Sequence, residues 1–127
     1  MTNYTWRGEF TNNEINALHA QAFGTRIFTD DEWDWKALVD RHSLGWIVAR
    51  DDDVLVGFVN VAWDGFVHAW VQDTMVSQTA GRRGIGTQLV ATAREVAEDI
   101  GGKGSARRWD TARLWPRADV ATSGSGR

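Results

Sequence analysis

"VSQTAGRRGIGTQLVATAREVAEDIGG", residues 76–102, decides how this chain is read. It opens on the end of an apolar strand. It then sets three glycines and two arginines within six residues, Gly81 to Gly86, and passes at once into a helical pattern. Ile85, Leu89, Ala93, Val96 and Ile100 recur on one stripe, which predicts a helix over 85–100 ended by Gly101 and Gly102. A strand, a glycine-rich loop and a helix form an anion site by elementary physics. The first helical N–H groups lack partners within the helix, and the macrodipole adds positive potential there. Glycines let backbone approach a phosphate closely, and Arg82 and Arg83 add charge that pairs with phosphate oxygens.

Two familiar phosphate loops fit poorly. Gly81 and Gly86 have Walker A spacing, but Thr87 stands where that loop needs lysine. Gly84 and Gly86 begin a G-x-G-x-x-G, but Leu89 replaces its third glycine. A nucleoside triphosphate and a dinucleotide are therefore disfavoured as ligands.

The elements before the loop set its context. "YTWRGEF", 4–10, suits a first strand. "TNNE", 11–14, is a capping box with Thr11 as N-cap and Glu14 reaching back. Ile15, Leu18, Ala22 and Phe23 follow at helical spacing until Gly24. "TDDE", 29–32, signals a second helix, with Trp35, Leu38, Val39 and His42 on its inner face and Gly45 at its end. From Trp46 the period becomes that of strands: "WIVAR", a "DDD" turn, "VLVGFVNVAW", a two-residue "DG" hairpin at 64–65, and "FVHAWVQDTMV".

Composition bounds the rest. An apolar share of 43% and a charged share of 24% are those of a soluble globular domain. No apolar run has membrane-spanning length, no leader pattern is visible, and the chain has no cysteine. A cytoplasmic protein without membrane contact is expected. Residues 1–101 carry a net charge of −7 and residues 102–127 a net charge of +4. The acidic body argues against nucleic-acid binding and suits a cationic or amine-bearing small molecule. The spacing of Asp and His predicts no metal site; "DDD" at 51–53 reads as an exposed turn. His19 and His42 read as packed helix residues, and His68 as structural or exposed.

The order strand, two helices, three-strand meander, loop and helix resembles the GCN5-related N-acetyltransferases over about residues 4–102. "GRRGIG" is similar to that family's Gln/Arg-x-x-Gly-x-Gly/Ala loop, with Gly81 at the first position. The resemblance implies an α/β (α+β) acyl-CoA N-acyltransferase-like fold, a mostly antiparallel mixed sheet flanked by helices. It implies acetyl transfer from acetyl-CoA to a primary amine by direct attack, with no metal. Gly81, Arg82, Arg83, Gly84, Ile85, Gly86 and Thr87 would hold the pyrophosphate. Thr74, Met75 and Val76 would flank the pantetheine arm, and the N–H of Met75 or Val76 would polarise the thioester carbonyl. Asp73 is the candidate general base. Phe28, Trp33 and Trp35 fall where the family's first two helices shape the acceptor pocket.

The resemblance also implies a fifth strand and a second half, which residues 103–127 do not display; they read as an irregular basic tail, and the only tyrosine is Tyr4. The sequence thus divides into a 1–102 domain and a 103–127 tail, truncated relative to the family. The fourth strand is then an edge bearing Val71 and Met75, and a homodimer covering it is expected. A non-catalytic CoA-binding or interaction module is the alternative reading.

Overall fold

A computed structural model describes residues 1–66, 68–78 and 84–103. The elements run β1 (Thr2–Trp6), α1 (Asn12–Phe23), α2 (Trp35–His42), β2 (Ser43–Asp51), β3 (Val54–Trp63), β4 (Ala69–Val76) and α3 (Ile85–Lys103). The four strands form one sheet in the order β1-β2-β3-β4, antiparallel throughout.

Side chains alternate across the sheet, so each strand feeds two cores. Ile47, Ala49, Val59, Val61 and Val71 pack under Ile85, Leu89, Ala93 and Ala97 of α3. Val48, Phe58 and Met75 pack against Ile15, Leu18, Trp35 and Val39 of α1 and α2. Val71 and Met75 are therefore buried on opposite faces and not exposed at an edge, although β4 is an end strand of the sheet among the described residues.

Local chemistry fixes the element ends. The Thr11–Glu14 capping box forms as the sequence predicts, and Gly24 closes α1 at φ +67°. Arg50 reaches across from β2 and holds the Glu14 carboxylate at 2.8 and 3.0 Å. β1 is shorter than expected. Arg7 adopts φ +56° and its N–H donates to Trp46 O, which turns the chain off the sheet before Phe10.

The signal at Thr29–Glu32 makes a turn, not a helix start. Glu32 accepts from Thr29 N (2.9 Å) and from Arg26 (2.7 and 3.0 Å), which satisfies its carboxylate locally. These contacts, the Arg26 bonds foremost, draw its pKa down to about 2. The helix begins later because Asp34 caps it, its Oδ1 accepting from Ala37 N at 3.0 Å. α2 passes directly into β2, so Gly45 lies inside a strand and His42 is exposed. Gly45 is needed there for a different reason: a Cβ on it would fall within the Trp6 ring that crosses it.

The "DG" pair does not form a two-residue hairpin. Pairing stops at Trp63–Ala69, and Asp64 folds the connection by accepting from Phe66 N (2.8 Å) and His68 N (3.1 Å). α3 continues past Gly101 and Gly102 to Lys103, and its fourth buried position is Ala97 where the sequence suggested Val96.

Candidate functional site

The site is organised by an irregularity in β4. Phe58 pairs with Met75 and Asn60 with Gln72, so Val59 alone faces both Asp73 and Thr74. This is a β-bulge, and Asp73 carries it at φ +57°. Its effect is visible in the packing. Val71 and Met75 are four residues apart and would share a face in a regular strand, yet they lie in different cores. Val76 packs on the α3 side with Val71.

Two cavities flank this half of β4. One, of about 340 Å³, is lined by Trp33, Asp34, Trp35, Leu38 and Asp73. The other, of about 360 Å³, is lined by Ala22, Val76, Ser77, Gln78, Gly84, Gly86 and Thr87. Asp73 and Val76 are three residues apart, roughly 10 Å along a strand.

The first cavity has an aromatic wall. Trp33 is 40% exposed and stacks on Phe28, with centroids 4.6 Å apart and planes at 20°. Trp35 is buried; its ring meets Trp33 edge-on at 5.4 Å, and its Nε1–H donates to Asn16 Oδ1 at 2.8 Å. Phe28 thus stands one layer behind the lining. His19 packs against Phe23, Phe28, Trp33 and Trp35. Burial holds its imidazole below the usual histidine range, which keeps it neutral at pH 7, as a packed histidine should be.

The second cavity is set between the end of β4 and the start of α3. Gly84 adopts φ +73°, and Gln88 N donates to its carbonyl at 3.0 Å. The N–H groups of Ile85, Gly86 and Thr87 precede the first such bond and face the helix end. Gly86 lies close to β4: a Cβ there would sit 3.5 Å from Val76 Cγ2. Gln21, at the end of α1, ties this corner together. Its Oε1 accepts from Ser77 Oγ at 3.1 Å, and its carbonyl accepts from Gln78 Nε2 at 3.1 Å. Nothing in the local sequence marks Gln21 for that task, because its partners lie more than 50 residues away.

The backbone of β4 distinguishes the two expected donors. Ser77 N–H donates to Val56 O at 2.8 Å. N–H groups of an antiparallel strand face its partner at every second residue. With Met75 opposite Phe58 and Val76 opposite Gly57, the N–H of Met75 faces β3 and that of Val76 faces outward. Thr74 and Met75 are buried, and the Thr74 hydroxyl has no hydrogen-bond partner among the described residues.

The structure therefore brings Asp73, Trp33 and Trp35 into one cavity and Val76, Gly84, Gly86 and Thr87 into the other. Ile85 is buried under the sheet and offers its backbone alone. Gly81, Arg82 and Arg83 lie outside the described residues. His68 is exposed beside Asp64, at 3.0 Å. Among the described residues no cluster of His, Cys, Asp or Glu is arranged to hold a metal ion, and no helix is long and apolar enough to cross a membrane.

Solved acetyltransferases share this architecture. A GNAT-family acetyltransferase from Streptococcus pneumoniae is 30% identical with a TM-score of 0.58; 75% of this chain and 67% of that one are covered. The Escherichia coli GNAT-family N-acetyltransferase YhbS, solved with CoA, is 18% identical with a TM-score of 0.62, covering 79% and 58%. An aminoglycoside 6'-N-acetyltransferase complexed with coenzyme A is 18% identical with a TM-score of 0.59, covering 71% and 50%. No curated protein sequence matches the chain. The family description "Acetyltransferase (GNAT) family" matches residues 11–113. The chain belongs to this family, and it is an N-acetyltransferase.

Proposed function

We propose that the enzyme moves an acetyl group from acetyl-CoA to a primary amine by direct attack. One observation carries this reading. The β4 bulge sends Asp73 to an aromatic cavity, while Val76 of the same strand borders a cavity at the head of α3. Acceptor and donor would then meet across a single strand.

The residues present suit the donor. Gly84 and Gly86 add no side chain to the α3 cavity. In this reading Arg82 to Thr87 hold the pyrophosphate through backbone N–H groups and arginine charge. Thr74 to Val76 run beside the pantetheine arm. The outward N–H of Val76, in preference to that of Met75, polarises the thioester carbonyl. The amine nitrogen attacks that carbon. Its proton passes to the Asp73 carboxylate, the amide bond forms, the C–S bond breaks, and the thiolate takes a proton from solvent. Trp33 and Trp35, backed by Phe28, wall the acceptor.

The CoA carried by two of the structural neighbours supports the choice of donor. Calorimetric titration with acetyl-CoA, followed by thiol release over an amine panel, tests the reading. Binding and amine-dependent release are expected. Binding without release for any amine would support a non-catalytic CoA-binding module, and absence of binding would reject the donor. A cytoplasmic setting and a dimer across the outer side of β4 belong to the same proposal. Cell fractionation tests the first; a monomer mass by light scattering at micromolar concentration would reject the second.

A further inference from the structure

We propose that the acceptor is an amine bearing a second cationic centre, held against Trp33 and Asp34 while the reacting amine stands at Asp73. This rests on the acetyl-transfer reading above and names the substrate class of that site.

Proton removal from one amine needs one carboxylate. Among the described residues the acceptor cavity has two, and they come from different elements: Asp73 from the β4 bulge and Asp34 from the N-cap of α2. Asp34 is held in place. Its Oδ1 accepts from Ala37 N at 3.0 Å and from Asn12 Nδ2 at 2.9 Å. The Ala37 bond, then the Asn12 bond, hold its carboxyl below the usual carboxylate range, so it is anionic at neutral pH.

Trp33 is its neighbour in the chain and in the lining. It is 40% exposed, and its ring is stacked from behind. Phe28 stacks on it, Arg26 sits 4.6 Å over the Phe28 ring, and Glu32 grips Arg26 in a two-pronged pair. An indole held rigidly beside an anionic carboxylate is a cation-recognition element.

Among the described residues no lysine or arginine lines this cavity. Asp34 stands between this cavity and a second one that Lys36 and Arg7 line; there Lys36 is directed to the Phe10 ring, at 5.8 Å, and Arg41 acts on Asp34 through charge. The body of the chain, net −7 over residues 1–101, adds an attractive field for a dication. Leu38 and the two indoles supply an apolar middle that suits the methylenes between two amines.

The test compares matched amines that differ only in the second charge: putrescine with butylamine, and cadaverine with pentylamine and aminopentanol. Both binding, by equilibrium titration, and thiol release at saturating acetyl-CoA are read. The diamines should bind, and turn over by kcat/KM, about tenfold better than their monoamines. Asp34→Asn keeps an N-capping oxygen and should remove most of that preference through KM, with acetyl-CoA affinity unchanged. Trp33→Leu should do the same. Diamines that bind no tighter than monoamines overturn the proposal, whether or not turnover occurs. A preference that survives in both variants also overturns it. Selective diamine binding lost in both variants, but without thiol release for any amine, upholds the cation site and refutes acetyl transfer.

Discussion

Replacing Gly84 by glutamate and, separately, by glutamine divides charge from strain at the head of α3. Gly84 holds φ +73°, and a Cβ built on it meets no atom of the described residues within 4 Å. Neither variant is crowded, so both incur the left-handed backbone cost of about 1–2 kcal/mol. The glutamate stands just ahead of a helix N-terminus, where its charge returns about 0.3–1 kcal/mol. The Glu variant should therefore melt no lower than the Gln variant. Binding should run the other way. A pyrophosphate on the N–H groups that follow Gly84 would place its oxygens near the new carboxylate. Unit charges 4 Å apart repel by about 1 kcal/mol in bulk water and about 4 kcal/mol near a protein surface. Gly84 is exposed, so an intermediate value of about 2 kcal/mol is expected. That weakens acetyl-CoA about 30-fold relative to the Gln variant. Calorimetric titration measures the difference, and added salt should shrink it. Equal affinity in the two variants, near that of the parent, would refute the phosphate cradle. An equal loss in both would assign the effect to backbone strain alone.

Asp73→Asn keeps a residue type that tolerates positive φ but removes the base; kcat should fall about 10²–10⁴-fold with acetyl-CoA affinity little changed, and an unaltered kcat would reject the assignment. Gly45→Ala forces the Trp6 ring off the sheet, and urea unfolding should register a loss of about 1–3 kcal/mol. The Glu14 carboxyl is held below its unfolded value of 4.5, chiefly by the Arg50 hydrogen bond. Its contribution is therefore complete above pH 4.5 and is lost as pH falls through the lower folded value. Glu14→Gln should cost about 1 kcal/mol at pH 7 and flatten that acid dependence in denaturation curves.

The parts of the fold written in local chemistry were legible. The Thr11 box, the Gly24 stop, the strand period after Trp46 and the α3 stripe each follow from neighbours a few residues apart. Where the sequence misled, a competing local contact won. Thr29–Glu32 carries capping-box chemistry, but Arg26 captures Glu32, and Asp34, braced by Asn12, starts α2 instead. Asp64 and Gly65 look like a tight hairpin, yet the Asp64 side chain bonds Phe66 and His68 and lengthens the connection. Trp33, Trp35 and Asp73 could be singled out as residues, but their meeting in one cavity depends on how α2 sits on the sheet, which no local spacing records.

The bulge is the least legible feature and the one on which the site depends. A glycine would have advertised positive φ; "QDTM" offers an aspartate there instead. Strand side chains repeat with period two, so one extra residue exchanges the faces of everything beyond it. Without it, Met75 would follow Val71 to the α3 side and Val76 would turn toward α1. The α1–α2 core would lose a buried side chain, and Val76 would lose its contact with the head of α3. A non-glycine residue in the left-handed region costs about 1–2 kcal/mol and persists only where the surrounding packing determines it. Here that packing is two cores, one on each face, both in register only when Asp73 takes the strain. The same requirement that keeps the bulge in place keeps the carboxylate at the acceptor cavity and Val76 at the cavity of α3.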